Sequence, residues 1–276
     1  MFDRPWGFTS QGMKTHIPFL NTPPRVNVLR LNGAIMTRQG GLNDQSLASS
    51  IERAFRKGKP VAVALSINSP GGSPVQSSLI AARITRLAKE KELPVYAFVE
   101  DVAASGGYWL ACAADKIFVD SSSVVGSIGV ISSGFGFDQF IAKHGVERRV
   151  HTSGRSKSML DPFRPENPED VVRLKALQEE IHHAFIAHVS AARSERLSKE
   201  VELFDGSFWT GKTGVDLGLA DGIGHLVPTL KDIYGDKLRL SVFGPKRPLL
   251  RRFGAELSAG LVASVEEQAL WSRFGL

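Results

Sequence analysis

Two glycine-rich turns, each between an apolar run and a helical pattern, constrain the fold of this chain more than any other feature. The first, at residues 68–72 (NSPGG), follows the uncharged run 61–67, and a helical pattern opens just after it at Pro74. The second, at residues 101–107 (DVAASGG), follows the apolar run 94–99. Glycine at such turns lets the backbone take positive φ and approach a neighbour closely. A unit of strand, turn and helix that occurs twice in succession indicates an α/β core.

The remaining pattern supports one main domain with extensions. The hydrophobic period changes between 2 and 3.6 residues over positions 26–120, as in strands connected by helices. A length of 276 residues with 42% hydrophobic residues fits one or at most two globular domains. We predict an N-terminal extension at 1–25, a main domain at 26–243 and a tail at 244–276. Within the main domain we also predict a long helix at 169–193, with Leu174, Leu177, Ile181 and Phe185 facing inward.

The tail has a basic run at 246–252, and apolar residues then recur at near-helical spacing up to Phe274. We therefore expect an amphipathic C-terminal helix, which packs on its own or a neighbouring subunit or docks on an anionic membrane surface. The first 20 residues carry charges where a signal peptide needs an unbroken apolar stretch. No other window approaches the 18 apolar residues of a membrane span. We expect a cytoplasmic protein, with peripheral contact at the cytoplasmic face of the membrane as an alternative.

Composition excludes several function classes. The 34 basic and 28 acidic residues leave a net charge of +6, which favours anionic surfaces only mildly and is not typical of a nucleic-acid-binding protein. The single cysteine, Cys112, excludes an intramolecular disulfide and a cysteine-rich zinc site. His182 and His188 are six residues apart, so they lack the i, i+4 spacing of a helical zinc site. We expect no metal, no cofactor and no nucleic-acid partner.

Ser105 stands in the second turn, where a helix begins. The helix dipole favours negative charge there, and the amide of Gly106 lies beside the hydroxyl, where it can receive an oxyanion. Taken alone, an N-cap is the more frequent role of such a serine, and a simple tight turn the more frequent role of residues 68–72. The occurrence of both turns in one chain favours an oxyanion site.

A nucleophilic serine needs a base, and Lys157 is a stronger candidate than any of the seven histidines. It stands among small polar residues in the segment 152–158 (TSGRSKS). A free lysine has a pKa of about 10.4, so a lysine that acts as a base must be buried and held by neighbouring hydroxyls. Taken alone, this segment also fits an ordinary solvated loop.

These segments together resemble one family. The motifs NSPGG, DVAASGGYWLACAADKIFVD, SSSVVGSIGVI, SGRSKSMLDPF and FDGSFWTGKTGVDLGLADGIG occur in the order of the signal peptide peptidase A (SppA) family of Ser/Lys peptidases, in its short single-domain form. The match covers roughly residues 26–230. It implies a Clp protease/crotonase-like core of repeated ββα units and a serine endopeptidase without a cofactor. Extended apolar peptides, such as signal-peptide remnants or misfolded membrane-associated proteins, are the implied substrates.

The resemblance also implies roles for five residues. By position, Ser105 aligns with the nucleophile, Lys157 with the general base, Ser127 with the serine that orients the lysine amine, and Gly71 and Gly106 with the oxyanion-hole donors. Single-domain members of the family form dome-like rings in which the lysine reaches the serine of an adjacent subunit. We therefore expect a homo-oligomeric ring in which Lys157 completes the dyad either within its own chain or on the neighbouring subunit. Many relatives carry an N-terminal membrane anchor, which we do not find in this sequence.

Two rival functions remain open. A crotonase-like acyl-CoA enzyme would use the same pair of turns on a thioester enolate, without requiring Ser105 or Lys157. A non-catalytic oligomeric scaffold would keep the assembly and cleave nothing. Residues 206–213 (GSFWTGKT) also match the P-loop pattern GxxxxGK(S/T), but Phe208 and Trp209 are bulky for a loop that wraps phosphate. We do not expect ATP binding.

Overall fold

The computed structural model describes residues 22–37, 41–245 and 268–275. Most of the predicted N-terminal extension and tail, including most of the expected amphipathic helix, lies outside the described residues. The domain bounds given above therefore stay predictions.

The described chain forms one mixed sheet with helices on its faces. The strands are β1 (Arg25–Asn32), β2 (Ala62–Ser69), β3 (Val95–Ala104), β4 (Lys116–Val119), β5 (Val124–Gly126), β6 (Phe208–Thr210), β7 (Gly222–Ile223) and β8 (Arg239–Phe243). Their order is β6-β5-β3-β2-β1-β8, and β4 pairs with both β3 and β7. The described pairs are parallel except β5 with β6. This sheet confirms the predicted α/β class.

Helices connect these strands because parallel neighbours need a crossover connection. The helices are α1 (Asp44–Arg56), α2 (Pro74–Lys91), α3 (Gly106–Ala111), α4 (Asp138–Lys143), α5 (Pro168–Arg193), α6 (Gly211–Asp216) and α7 (Leu226–Tyr234). Helix α1 begins after Asn43, whose side chain accepts from the Ser46 N–H, and α2 begins after Ser73 with Pro74 in its first turn. Helix α2 begins at Pro74, where the sequence predicts it.

The core lies on both faces of the sheet. The larger cluster joins one face to α1, α2, α3 and the end of α5, and a smaller cluster places Leu230 of α7 against the opposite face. Strand β2 is buried along nearly its whole length, as expected for an uncharged strand covered on both faces. Strand β3 continues to Ala104, five residues beyond the predicted end at Val99, because the charged pair Glu100 and Asp101 is accommodated within it.

Helix α5 forms where predicted, but only its C-terminal end is covered. Phe185, Val189 and Arg193 are buried, whereas Leu177 and Ile181 are 51% and 38% exposed. The prediction that Leu177 and Ile181 face inward is therefore wrong for a single chain. Apolar spacing identifies one face of a helix, but that face is buried only where another element lies against it.

A buried ion pair anchors the covered end of α5. Arg193 is only 2% exposed; it donates from Nη1 to Asp221 Oδ2 at 2.7 Å and from Nε to the Gly218 carbonyl at 2.9 Å. Asp221 also accepts from the Ile117 N–H and from Arg196, at 2.7 and 2.8 Å. Burial alone would raise the pKa of Asp221, but the hydrogen bonds from Arg193 and Ile117 hold this pKa below its ordinary value. The pair therefore ties α5 to β4 and to the turn before β7.

We predict that Asp221→Asn lowers the free energy of unfolding by about 3–5 kcal/mol at pH 7, because it leaves the Arg193 charge buried and uncompensated. The folded pKa of Asp221 lies below its unfolded value. The stabilisation is therefore complete above about pH 4 and is lost as the pH falls through the folded pKa. Urea unfolding at pH 7 and in acid measures both effects.

The matched control is Glu90→Gln, which removes an exposed ion pair with Arg86 on α2. This change should cost less than about 1 kcal/mol. Equal losses in the two variants would contradict an anchoring role for Asp221.

Candidate active site

Ser105 joins β3 to α3 in a backbone conformation that side chains rarely adopt. Its φ is 52° and its ψ is −123°. Its N–H donates to the Gly126 carbonyl at 2.8 Å, and its carbonyl accepts from the N–H groups of Tyr108 and Trp109 at 3.0 Å. These bonds fix the strained backbone, which costs of order 1–3 kcal/mol. Ser105 occupies the N-cap position, yet its half-buried side chain makes no capping hydrogen bond, and its hydroxyl bonds to no other residue that the structure describes.

Gly71 packs directly against this turn. Its φ is +96°, and a Cβ added to it would lie 2.7 Å from both the Ala104 carbonyl oxygen and the Gly106 nitrogen, and 2.8 Å from Ser105 Cβ. No larger residue fits at position 71 without moving the serine. The structure therefore brings together three of the predicted site residues, although they come from two different turns.

The backbone N–H groups of Gly71 and Gly106 differ in whether they already make a hydrogen bond. Gly106 is the first residue of α3, so its N–H has no partner within the helix, and no other described group accepts from it. The Gly71 N–H makes one long hydrogen bond, of 3.3 Å, to Ser69 Oγ. Both amides lie beside Ser105, where backbone donors can stabilise an oxyanion.

Ser127 lies on the other side of the Ser105 turn. It follows directly after Gly126, the residue whose carbonyl accepts from Ser105, and it is buried with a φ of 51°. Its N–H donates to the Ser207 carbonyl at 2.7 Å, in the segment that leads into β6. The nucleophile turn is thus held between the Gly71 turn and the Ser127 turn.

Lys157 is not joined to this group within one chain. It lies exposed in a turn, where its N–H donates to the Gly154 carbonyl and its side chain makes no hydrogen bond or ion pair with any described residue. The flanking serines are engaged instead, Ser156 by Arg173 and Ser158 by Arg164. Of the five predicted site residues, the structure gathers Ser105, Gly71, Gly106 and Ser127 and leaves Lys157 apart.

Two histidines, which are neither zinc ligands nor the proposed base, hold α5 against the site. His182 Nε2 lies 3.1 Å from the Ile128 carbonyl, next to Ser127, and His188 Nε2 lies 3.0 Å from the Trp109 carbonyl in α3. The His188 ring also stacks on Trp109, with 4.9 Å between centroids. Burial lowers the pKa of His188, partly opposed by its hydrogen bond to the Trp109 carbonyl, so the neutral ring is favoured. The sequence does carry a signal for this packing role, because His182, Phe185 and His188 recur three residues apart and so lie along one face of the helix.

The segment with the P-loop pattern forms part of the sheet edge. Phe208 and Trp209 lie in β6, which pairs with β5 beside the Ser127 turn. Gly211 packs so closely on the Asp120 carbonyl that an added Cβ would lie 1.9 Å from its oxygen, and the Lys212 N–H donates to Ser121. Between Gly206 and Gly211 the backbone therefore forms strand β6 and leads into the start of α6. Its amides are directed to other parts of the protein and not to a phosphate site.

Across residues 22–37, 41–245 and 268–275, no group of three or more His, Cys, Asp or Glu side chains is placed to hold a metal ion. In the same residues, none of the helices combines the length and the apolar character needed to cross a bilayer.

Comparison with known proteins shows which family has sequences similar to this chain. A family model described as Peptidase family S49 matches residues 87–233. The Na(+)/H(+) antiporter NhaA of Brucella melitensis is 48% identical over 96% of this chain, which spans only 39% of that protein. The chloroplastic serine protease SPPA of Arabidopsis thaliana is 31% identical over 73% of the chain and 31% of its own length. A solved variant of the 1510-N membrane-bound stomatin-specific protease aligns with a TM-score of 0.47 at 14% identity, over 82% of this chain and 99% of that one.

The strained backbone at Ser105 leads to a prediction about stability. Ser105→Gly should raise the free energy of unfolding by about 1 kcal/mol, because glycine relieves the strain at positive φ and loses part of that gain to its greater freedom in the unfolded chain. Ser105→Ala keeps the Cβ and should remain near the wild type. Urea unfolding of the three proteins measures the difference. Equal stability of the glycine and alanine variants would show that the turn stores no strain.

Proposed function

Because this chain belongs to peptidase family S49, together with the SppA-like serine peptidases, we propose that it is a serine endopeptidase that uses Ser105 as nucleophile and Lys157 as general base. The observation that carries the proposal is the Ser105 turn. Its hydroxyl bonds to none of the described residues, its backbone is held in a strained conformation, and the Gly71 and Gly106 backbones lie against it.

The proposed reaction follows from these groups. The neutral Lys157 amine takes the Ser105 hydroxyl proton as the serine oxygen attacks the peptide carbonyl, and the carbonyl oxygen becomes an oxyanion. The N–H groups of Gly71 and Gly106 stabilise this oxyanion. The protonated lysine then gives its proton to the leaving amine, and an acyl-enzyme remains. Water, deprotonated by the same lysine, hydrolyses the ester and regenerates Ser105.

We further propose that the lysine comes from a neighbouring copy of the chain. In one chain Lys157 is exposed and its side chain pairs with no described residue. The segment around it, residues 130–182, carries an unusual number of exposed apolar side chains. We call this segment the arm. Its most exposed large apolar residues are Ile131, Phe135, Phe140, Val146 and Val172. An apolar surface of this kind marks an interaction site, and a second copy that receives the lysine would also cover the arm. A homo-oligomeric ring fits this arrangement.

The rival functions explain less of the site. A crotonase-like acyl-CoA enzyme would need two backbone donors but no strained serine, so the conformation of Ser105 favours the peptidase. A non-catalytic scaffold would not need the close packing of Gly71 on that serine.

The proposed substrates are extended apolar peptides, and the proposed place of action is a membrane surface. The Brucella melitensis relative, named as a Na(+)/H(+) antiporter, contains a region that matches 96% of this chain, and this supports a setting beside membrane proteins. Signal-peptide remnants and misfolded membrane-associated proteins fit both statements. We propose contact with the cytoplasmic face of the membrane through the basic tail at 244–276.

The dyad is tested with a fluorogenic aliphatic peptide and an unfolded protein, without ATP or metal. Ser105→Ala should reduce cleavage to background, and Lys157→Ala should reduce it at least about 10²-fold, since that is the ordinary contribution of a general base. Lys212→Ala, which removes an exposed lysine from the P-loop-like segment, should keep full activity. Size-exclusion chromatography checks that assembly is unchanged. No wild-type cleavage, or cleavage that survives the first two substitutions, overturns the proposal.

The arrangement between subunits predicts complementation. Mixed assemblies of Ser105→Ala and Lys157→Ala subunits should regain about a quarter of wild-type activity, because a random ring joins an intact serine to an intact lysine at that share of its interfaces. The control mixes Ser105→Ala with the Ser105→Ala/Lys157→Ala double variant and should stay inactive. Persistent inactivity in assemblies shown to contain both single variants would rule out the arrangement between subunits.

A further inference from the structure

The register between β2 and β3 changes immediately before the site. The strands pair from Val63 with Val95 to Ile67 with Val99, and then Ser69 pairs with Ala103, so that β3 takes up two additional residues. The offset between partners therefore rises from 32 to 34 residues. Ser105 follows Gly71 by the same new offset. With the earlier register, Ala103 would stand opposite Gly71, and the serine would lie beyond it.

The side chain of Asn68 bridges this irregularity. Asn68 lies between the last residue of the old register and the first of the new one. Its Oδ1 accepts from the Val102 N–H at 3.2 Å, and its Nδ2 donates to Asp101 Oδ2 at 2.6 Å. The side chain thus supplies bonds to two successive residues of the bulged stretch of β3, where the regular ladder is interrupted.

Neighbouring serines complete the support of the bulge. Ser66 Oγ donates to Glu100 Oε1 and Ser123 Oγ donates to the Glu100 carbonyl, each at 2.5 Å. These two bonds hold the first bulged residue, and Asn68 holds the next two. Of the three side chains, only that of Asn68 binds β3 at the residues directly before the Ala103–Ser105 stretch.

We propose that Asn68 is a positioning residue for peptide hydrolysis: its carboxamide fixes the two-residue bulge of β3 and thereby sets Ser105 opposite Gly71. The assignment rests on the proposed function. It also explains the residue type, because the position requires one acceptor for a backbone N–H and one donor for a carboxylate. Among side chains of this size, only a carboxamide supplies both in a fixed geometry.

Loss of this bridge should affect the chemical step more than substrate binding. Asn68 lies three residues before Gly71, and the hydrogen bonds that its side chain makes with described residues go to β3 alone. If the bulge relaxes, Ser105 moves relative to the Gly71 and Gly106 amides. A displacement of about 1 Å between reacting groups costs of order 10²-fold in rate.

The test exchanges the donor and the acceptor. Asn68→Asp keeps the acceptor for Val102 but sets a second carboxylate against Asp101, so kcat should fall about 10²-fold while KM changes less than about threefold. Asp101→Asn keeps an acceptor for Asn68 and is the matched control, with kcat near the wild type. The double variant Asn68→Asp/Asp101→Asn restores a donor and acceptor pair in reversed order and should recover kcat to within about tenfold of the wild type.

Thermal unfolding of all four proteins separates positioning from stability. Recovery in the double variant decides the question even where Asn68→Asp alone folds poorly. The inference is wrong if Asn68→Asp keeps wild-type kcat, or if the double variant is folded but not recovered; the peptidase activity would then still stand. Absence of cleavage by the wild type would instead overturn the proposed function, and this inference with it.

Discussion

The contact between the Gly71 turn and the Ser105 turn is the constraint on which the rest of the site depends. The backbones approach so closely that a single added carbon at position 71 would meet Ala104, Ser105 and Gly106 at once. Such an approach is available because both turns follow neighbouring parallel strands and therefore emerge at the same edge of the sheet. The strain of the serine is retained because the core beneath these strands is large and the turn is hydrogen-bonded on both sides.

A second consequence of the architecture is a division between body and arm. The sheet, its covering helices and the buried Arg193–Asp221 pair form a body around the larger core cluster. Helix α5 begins in the arm and ends in this body, where His188 and Arg193 hold it. Four of the five candidate site residues belong to the body, and the fifth, Lys157, belongs to the arm. The candidate site therefore follows the same division as the fold.

The features that could be predicted from sequence are those that local pattern determines. Each of these features can be recognised from a few neighbouring residues, and each is found where it was predicted: the uncharged strand β2, the helix start at Pro74 and the two glycine turns. The continuation of β3 through Glu100 and Asp101 could not be predicted, because an alternating or apolar pattern does not show where a neighbouring side chain such as Asn68 will satisfy the backbone. The exposure of Leu177 and Ile181 could not be predicted either, because periodicity identifies an apolar face without showing what covers it.

The isolated position of Lys157 has a consequence for the activity of a chain that has not yet assembled. With nucleophile and base supplied by different copies, as proposed, a newly made chain holds an intact serine turn but no base to activate it. Synthesis would then yield a latent protease that needs no inhibitory pro-segment, and dilution would return it to that state. Control of proteolysis would lie in local concentration: wherever copies are gathered, hydrolysis begins, and wherever they disperse, surrounding proteins are spared.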